Sequence, residues 1–151
     1  MPVPTFTPRN YFNASREHLG LALRLREQGE YFAAHYQAGI AVEDILRALS
    51  VKEGESFDGT HDIQHWAEKS NLLVRGAEAK HDAIHARILE VSLRWRANQR
   101  YYTLKMLDTW LHHINLDGRV RGDRIKVSSE RMLELVYEIV SLGEIRWNKK
   151  S

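Results

Sequence analysis

The chain has no cysteine. That removes disulfides, thiolate zinc sites and cysteine nucleophiles together, and it agrees with a reducing compartment. Proline is scarce as well, three residues against nine glycines, which argues against a long linker or disordered tract. No apolar run approaches the roughly 18 residues needed to span a bilayer. The opening MPVPTFTPRNYF has neither the basic nor the apolar region of a secretion signal. A cytoplasmic protein with no membrane partner is the expectation. Net charge is also small, +2, so charge alone does not announce a nucleic-acid binder. The charge is unevenly spread, however. From Arg94 onward basic residues outnumber acidic ones, and before it the reverse holds. This asymmetry points to an anionic partner or to a normally solvated surface.

What is present is helical periodicity. At 151 residues, 43% hydrophobic and 28% charged, the chain has the size and composition of one soluble domain with a proper core. Apolar positions recur at spacings of three and four in successive segments. A first helix is expected from about Asn13 to Gln28, leaving 1–12 as an N-terminal extension, with Gly29 as its stop. A second covers about Glu30 to Leu49. The glycine-rich VKEGESFDGT then breaks the pattern. A short helix follows near His61 to Leu73, and a long one from about Ala77 to Arg100 carries Ile84, Ile88, Val91 and Trp95. A fifth covers about Leu104 to Leu116. A basic loop, 117–127, leads to a last helix capped by Ser128 or Ser129. The expectation is an all-α antiparallel bundle of five to six helices in a single domain, 1–151. Trp66, Trp95 and Trp110 belong to its core, and Trp147 is expected at the surface.

One residue does not fit the pattern. AGIAVEDILRAL, Ala38 to Leu49, reads as a buried helix, yet Glu43 stands among its apolar positions. A buried glutamate needs a partner. Arg47, four residues on, is one choice.

Two histidine pairs, HDIQH (His61 and His65) and HDAIH (His81 and His85), share the i, i+4 spacing that puts two imidazoles on one helix face. Together they are the candidate ligands if the bundle binds metal. The plainer reading is a helix start and an exposed helix face, so the expected metal is none. Nothing in the sequence calls for a cofactor. His112 and His113 are adjacent and point apart.

The order YFAAHYQAGIAVEDILRAL, a loop, HDIQHW, and a long helix closing on WRANQRYY resembles the HEPN domain family of prokaryotic helical bundles, over roughly Ala14 to Tyr102. The resemblance implies a homodimer, association with RNA, and a place in toxin–antitoxin or phage-defence systems, with a nucleotidyltransferase-type antitoxin as a possible partner. It implies that Glu43 meets the arginine at the end of the long helix, Arg100, in a structural ion pair, which is the partner expected for it, and it implies where catalysis would sit. Active members carry an Arg-x(4–6)-His motif at the end of the long helix and cleave RNA without metal. After Arg100 the positions that should supply histidine are Lys105, Met106 and Leu107. One literal match lies elsewhere, Arg75 to His81, before the long helix. The expected function is therefore a non-catalytic RNA-associated or partner-binding module. An unorthodox ribonuclease using Arg75 and His81, and a metal-binding bundle, are the alternatives. Candidate RNA contacts are Arg94, Arg96, Arg100, Tyr101, Lys105, Arg119, Arg121, Arg124 and Lys126, arginines for phosphates and the tyrosine for stacking.

Overall fold

The computed structural model describes residues 6–52, 61–70 and 78–149, and every regular element among them is a helix. In chain order these are α1 (Pro8–Glu27), α2 (Tyr31–Lys52), α3 (Ile63–Lys69), α4 (Glu78–Arg94), a 3₁₀ turn (Ala97–Tyr101), α5 (Leu104–Ile114) and α6 (Arg124–Asn148). The expected all-α bundle is what the chain forms. Among the described residues no helix is long and apolar enough to cross a membrane.

The centre of the molecule is α2, because it is apolar or small on nearly every side. Ala38, Ala41, Val42, Ile45, Leu46, Ala48 and Leu49 are all buried. α1 folds back on it through Gly29, whose φ of 78° is a conformation glycine adopts without a Cβ penalty. α6 packs along another side with Met132, Leu133, Val136, Ile139 and Val140. Each large aliphatic side chain buried here contributes about 1.5–3 kcal/mol. The small residues set how closely the helices approach. A Cβ on Gly143 would overlap Ile45, and one on Gly39 would overlap the Trp95 ring. Trp95 is held in that place by its indole N–H, which donates to the Tyr36 carbonyl at 3.0 Å. A smaller cluster of Leu107, Leu111 and Ile125 joins α5 to the start of α6, with Tyr102 and Trp110 against it.

Three boundaries and the setting of one tryptophan differ from the sequence reading. α1 begins at Pro8, so residues 8–12 of the expected N-terminal extension are helix. Thr7 caps it reciprocally: its hydroxyl accepts from the Asn10 N–H, and Asn10 Oδ1 accepts from the Thr7 N–H at 2.8 Å. Proline at the first helical position completes a start signal that the scarcity of apolar residues concealed. α6 begins four residues before Ser128, because Asp123 is the cap and accepts from the Lys126 N–H at 3.1 Å. Ser128 and Ser129 are buried, and the basic loop loses Arg124 and Lys126 to the helix. α4 stops at Arg94, not Arg100, because the Arg94 carbonyl accepts from the Gln99 side chain at 2.9 Å and the chain turns. Finally, Trp147 is half-buried, stacked on Phe12 with ring centroids 4.7 Å apart. The expected glycine-rich break at 53–60 and the end of the third predicted helix lie outside the described residues.

Candidate functional site

A cavity of about 640 Å³ opens between α1, α2 and the segment that follows α4. Three stretches of chain supply its walls. On α1, Tyr11, Ala14 and His18 lie at successive turns of one face. On α2 the same rule aligns Tyr36, Ile40, Asp44 and Arg47, with Glu43 beside them. The third wall is Trp95, Asn98, Arg100 and Tyr101, which face inward because α4 ends early and the chain bends. Tyr36 ties two walls together by donating its hydroxyl to the Ala97 carbonyl at 3.0 Å.

The acidic residues sit at the inner side. Glu43 Oε1, Arg47 Nη2 and His61 Nδ1 form a triangle with each side 3.0 Å. Arg47 therefore donates to Glu43, while His61 Nδ1 either donates to Glu43 or accepts from Arg47. Glu43 Oε2 is buried and accepts no hydrogen bond from the described residues. Asp44, 7% exposed, is poorer still in partners. Its one ion-pair neighbour among the described residues is His18 Nε2 at 3.8 Å, beyond hydrogen-bond reach. His18 is held from its other side, where Nδ1 donates to Gln37 Oε1 at 2.7 Å. Burial is the main cause that pushes the Asp44 carboxyl up to about 7. The neighbouring Glu43 charge adds to this and the Arg47 charge opposes it. Burial likewise raises the Tyr36 hydroxyl, against the pull of Arg100.

The expected Glu43–Arg100 pair is not made. Glu43 takes Arg47, one turn along its own helix, and His61. Arg100 instead donates to the Tyr101 hydroxyl at 2.7 Å and lies over that ring. Both groups face the same cavity, Glu43 from inside and Arg100 from the rim.

The candidate RNA contacts separate in the fold. Arg94 is withdrawn from solvent at 2% exposure. It donates twice to Asp117 at 2.8 Å, to Glu90 at 2.9 Å and to Ser128 at 3.0 Å. It is a structural arginine, because no donor face is left for a phosphate. Arg96 is exposed and lies over the Trp110 ring. Arg124 is paired with Asp108 at 3.2 Å, and Lys126 lies over Tyr31. Lys105 lines a separate shallow groove with Tyr102, Met106 and Trp110. Arg119 and Arg121 are exposed in the loop before α6. Arg100 and Tyr101 alone of the set line the main cavity, and Tyr101 is 71% exposed.

Arg75 and the side chain of His81 lie outside the described residues. His61 is exposed and turned to Glu43, His65 packs edge-on against Trp66, and His85 is exposed. Among the described residues no group of three or more histidine or acidic side chains is gathered as a metal site. Sequence reasoning missed His18, Asp44, Tyr11 and Tyr36. The signal for Asp44 was its place beside Glu43. The other three are visible only once α1 and α2 are known to pack face to face. Comparison with family models, with curated proteins and with solved structures gives no match.

Proposed function

We propose that the protein is an RNA-associated binding module and that its RNA site is the cavity between α1, α2 and the 3₁₀ turn. The observation that carries this reading is the combination at the rim. Arg100 and Tyr101 are exposed side by side above a cavity lined by Tyr11 and Tyr36. An exposed arginine supplies a phosphate contact, and exposed aromatic faces supply stacking for unpaired bases. The resemblance to HEPN domains adds a homodimer and a protein partner of antitoxin type to the proposal, and the absence of cysteine adds a cytoplasmic location. Exposed Leu89 and Leu93 on α4, four residues apart, favour some protein contact on that face.

The test is fluorescence anisotropy with short single-stranded RNA. Arg100→Ala is expected to weaken binding about tenfold and to reduce the dependence of log K on log salt by about 0.7, one phosphate contact on a single strand. Tyr101→Ala is expected to cost about 1–3 kcal/mol of stacking. Arg119→Ala serves as the remote control. RNA binding that ignores Arg100 and Tyr101, or no RNA binding at all, would sink the reading.

A further inference from the structure

We infer that the cavity is a guanine pocket in which the Asp44 carboxylate accepts the two adjacent N–H donors of the base. The inference rests on the RNA reading of the same cavity and adds its base preference. Its starting point is an imbalance. Asp44 is a buried carboxylate, its side chain 10% exposed, that lines a cavity and receives no hydrogen bond from the described residues. Buried carboxylates in a finished core are satisfied by donors. Here the nearest one, His18 Nε2, stands off at 3.8 Å. Beside it, the buried Oε2 of Glu43 also lacks a donor among the described residues. The protein holds acceptors ready for donors that a ligand must bring.

The choice of ligand follows from charge, shape and edge chemistry. The two carboxylates, Glu43 and Asp44, are matched in the cavity by two guanidinium groups, Arg47 and Arg100. A cationic ligand would meet those arginines unfavourably, whereas a neutral base with a phosphate tail suits them. A cavity of about 640 Å³ has the volume of an ordinary small-molecule site and accommodates a nucleoside. Tyr11, with Arg47 over its ring, and Tyr36, tilted against Trp95, give the cavity an aromatic lining suited to a planar group. Among the four bases, guanine presents two neighbouring donors, N1–H and the exocyclic N2 amine. These match a carboxylate as a two-pronged pair. The corresponding edges of adenine and cytosine set an acceptor nitrogen beside the amine, and uracil sets carbonyls on both sides of its N–H. Each would direct lone pairs at the carboxylate.

The preference is tied to pH through the same group. The groups around Asp44 are His18 and Tyr11 from α1, Glu43, Arg47 and Tyr36 from α2, His61 before α3, and Arg100 and Tyr101 from the 3₁₀ turn. Burial and the Glu43 charge hold Asp44 protonated up to about pH 7. As a neutral acid it is a donor as well as an acceptor and no longer selects guanine. Selectivity therefore grows as pH rises through about 7 and declines below it.

The experiment titrates the full chain with GMP, IMP, AMP, CMP and UMP by isothermal calorimetry at pH 8 and pH 6. IMP keeps N1–H and lacks the second donor, so it tests the pairing without altering the protein. At pH 8 GMP is expected to bind about tenfold or more tighter than IMP and the others, the order of discrimination of one two-pronged contact. Asp44→Asn is expected to bring GMP and IMP within about twofold, and pH 6 to narrow the gap in the wild type. Equal binding of GMP and IMP at pH 8 overturns the inference, as does methylguanidine displacing GMP, which would make the site one for guanidinium groups. Single-stranded hexamers with and without guanine separate the two readings. Hexamers that bind without regard to guanine leave the RNA module and remove the guanine pocket. GMP selectivity with no hexamer binding leaves the pocket and removes the RNA. Binding of neither class removes both.

Discussion

Arg94 and Asp44 are both charged and both buried, at 2% and 7% exposure, yet their surroundings are opposite. Arg94 has its guanidinium occupied by Glu90, Asp117 and Ser128. Those partners come from α4, from the loop before α6 and from α6, so one side chain joins three segments. Around it the charges compensate further. Burial pushes Glu90 up, but the hydrogen bond from Arg131 and the Arg94 charge outweigh this and hold its carboxyl below the usual range. Asp44 has no such shell among the described residues. The difference teaches how to tell a buried charge that builds the fold from one held for a ligand. The first is saturated by the protein, and the second keeps acceptors turned toward empty volume.

The largest expected effect lies on the saturated side. Arg94→Ala leaves Asp117 and Glu90 without their common partner and is expected to cost about 3–5 kcal/mol in denaturant unfolding. A cost below about 1 kcal/mol would remove the contrast. Next comes His35, which belongs to the same network. Its Nε2–H donates to Gln99 Oε1 at 2.9 Å, Gln99 holds the Arg94 carbonyl, and the buried Nδ1 has no partner. Burial, aided by the Arg94 charge and opposed by the Gln99 bond, lowers its pKa from 6.5 to about 4. The unfolded state therefore binds the proton first. The stabilising contribution is complete above pH 6.5 and is lost as pH falls toward 4, on the order of 3 kcal/mol. Thermal unfolding of wild type and His35→Gln across that range checks it, because the variant should lack this slope. The smallest effect has the opposite sign. Asp44 is raised, so the native state holds its proton longer than the unfolded one, and ionising it costs stability as pH rises from 3.8 through about 7. Asp44→Asn is expected to stabilise the chain by about 1–2 kcal/mol at pH 8 and by less at pH 5. Destabilisation at pH 8 would mean that Asp44 has a donor after all.

Much of the fold could be read in the sequence because it follows from periodicity. The order of the helices, the burial of Trp66 and Trp95, and the Ile84, Ile88, Val91 series are local patterns that survive into the structure. What could not be read depends on contacts between segments. The end of α4 is decided by Gln99 reaching back to the Arg94 carbonyl, a side-chain hydrogen bond that no apolar spacing signals. Arg94 looked like its basic neighbours until Asp117 was found across from it. Glu43 was legible as a misfit, but its partner was sought at Arg100 when a residue one turn away suffices. Asp44, the more consequential neighbour, was hidden because a single acidic residue next to another reads as the polar side of a helix. The cavity that exposes its lack of partners is made by α1 and the 3₁₀ turn as much as by α2.

Gly39 and Trp95 are far apart in the chain and share one volume. A side chain cannot be added at 39 while the indole stands. A variant lineage that gains a side chain at position 39 must shed the indole at 95, and with it a wall of the cavity and the bond to the Tyr36 carbonyl. Position 39 is thus expected to stay small wherever the indole is kept, so a small residue in the second helix and a tryptophan just past the fourth go together with this pocket.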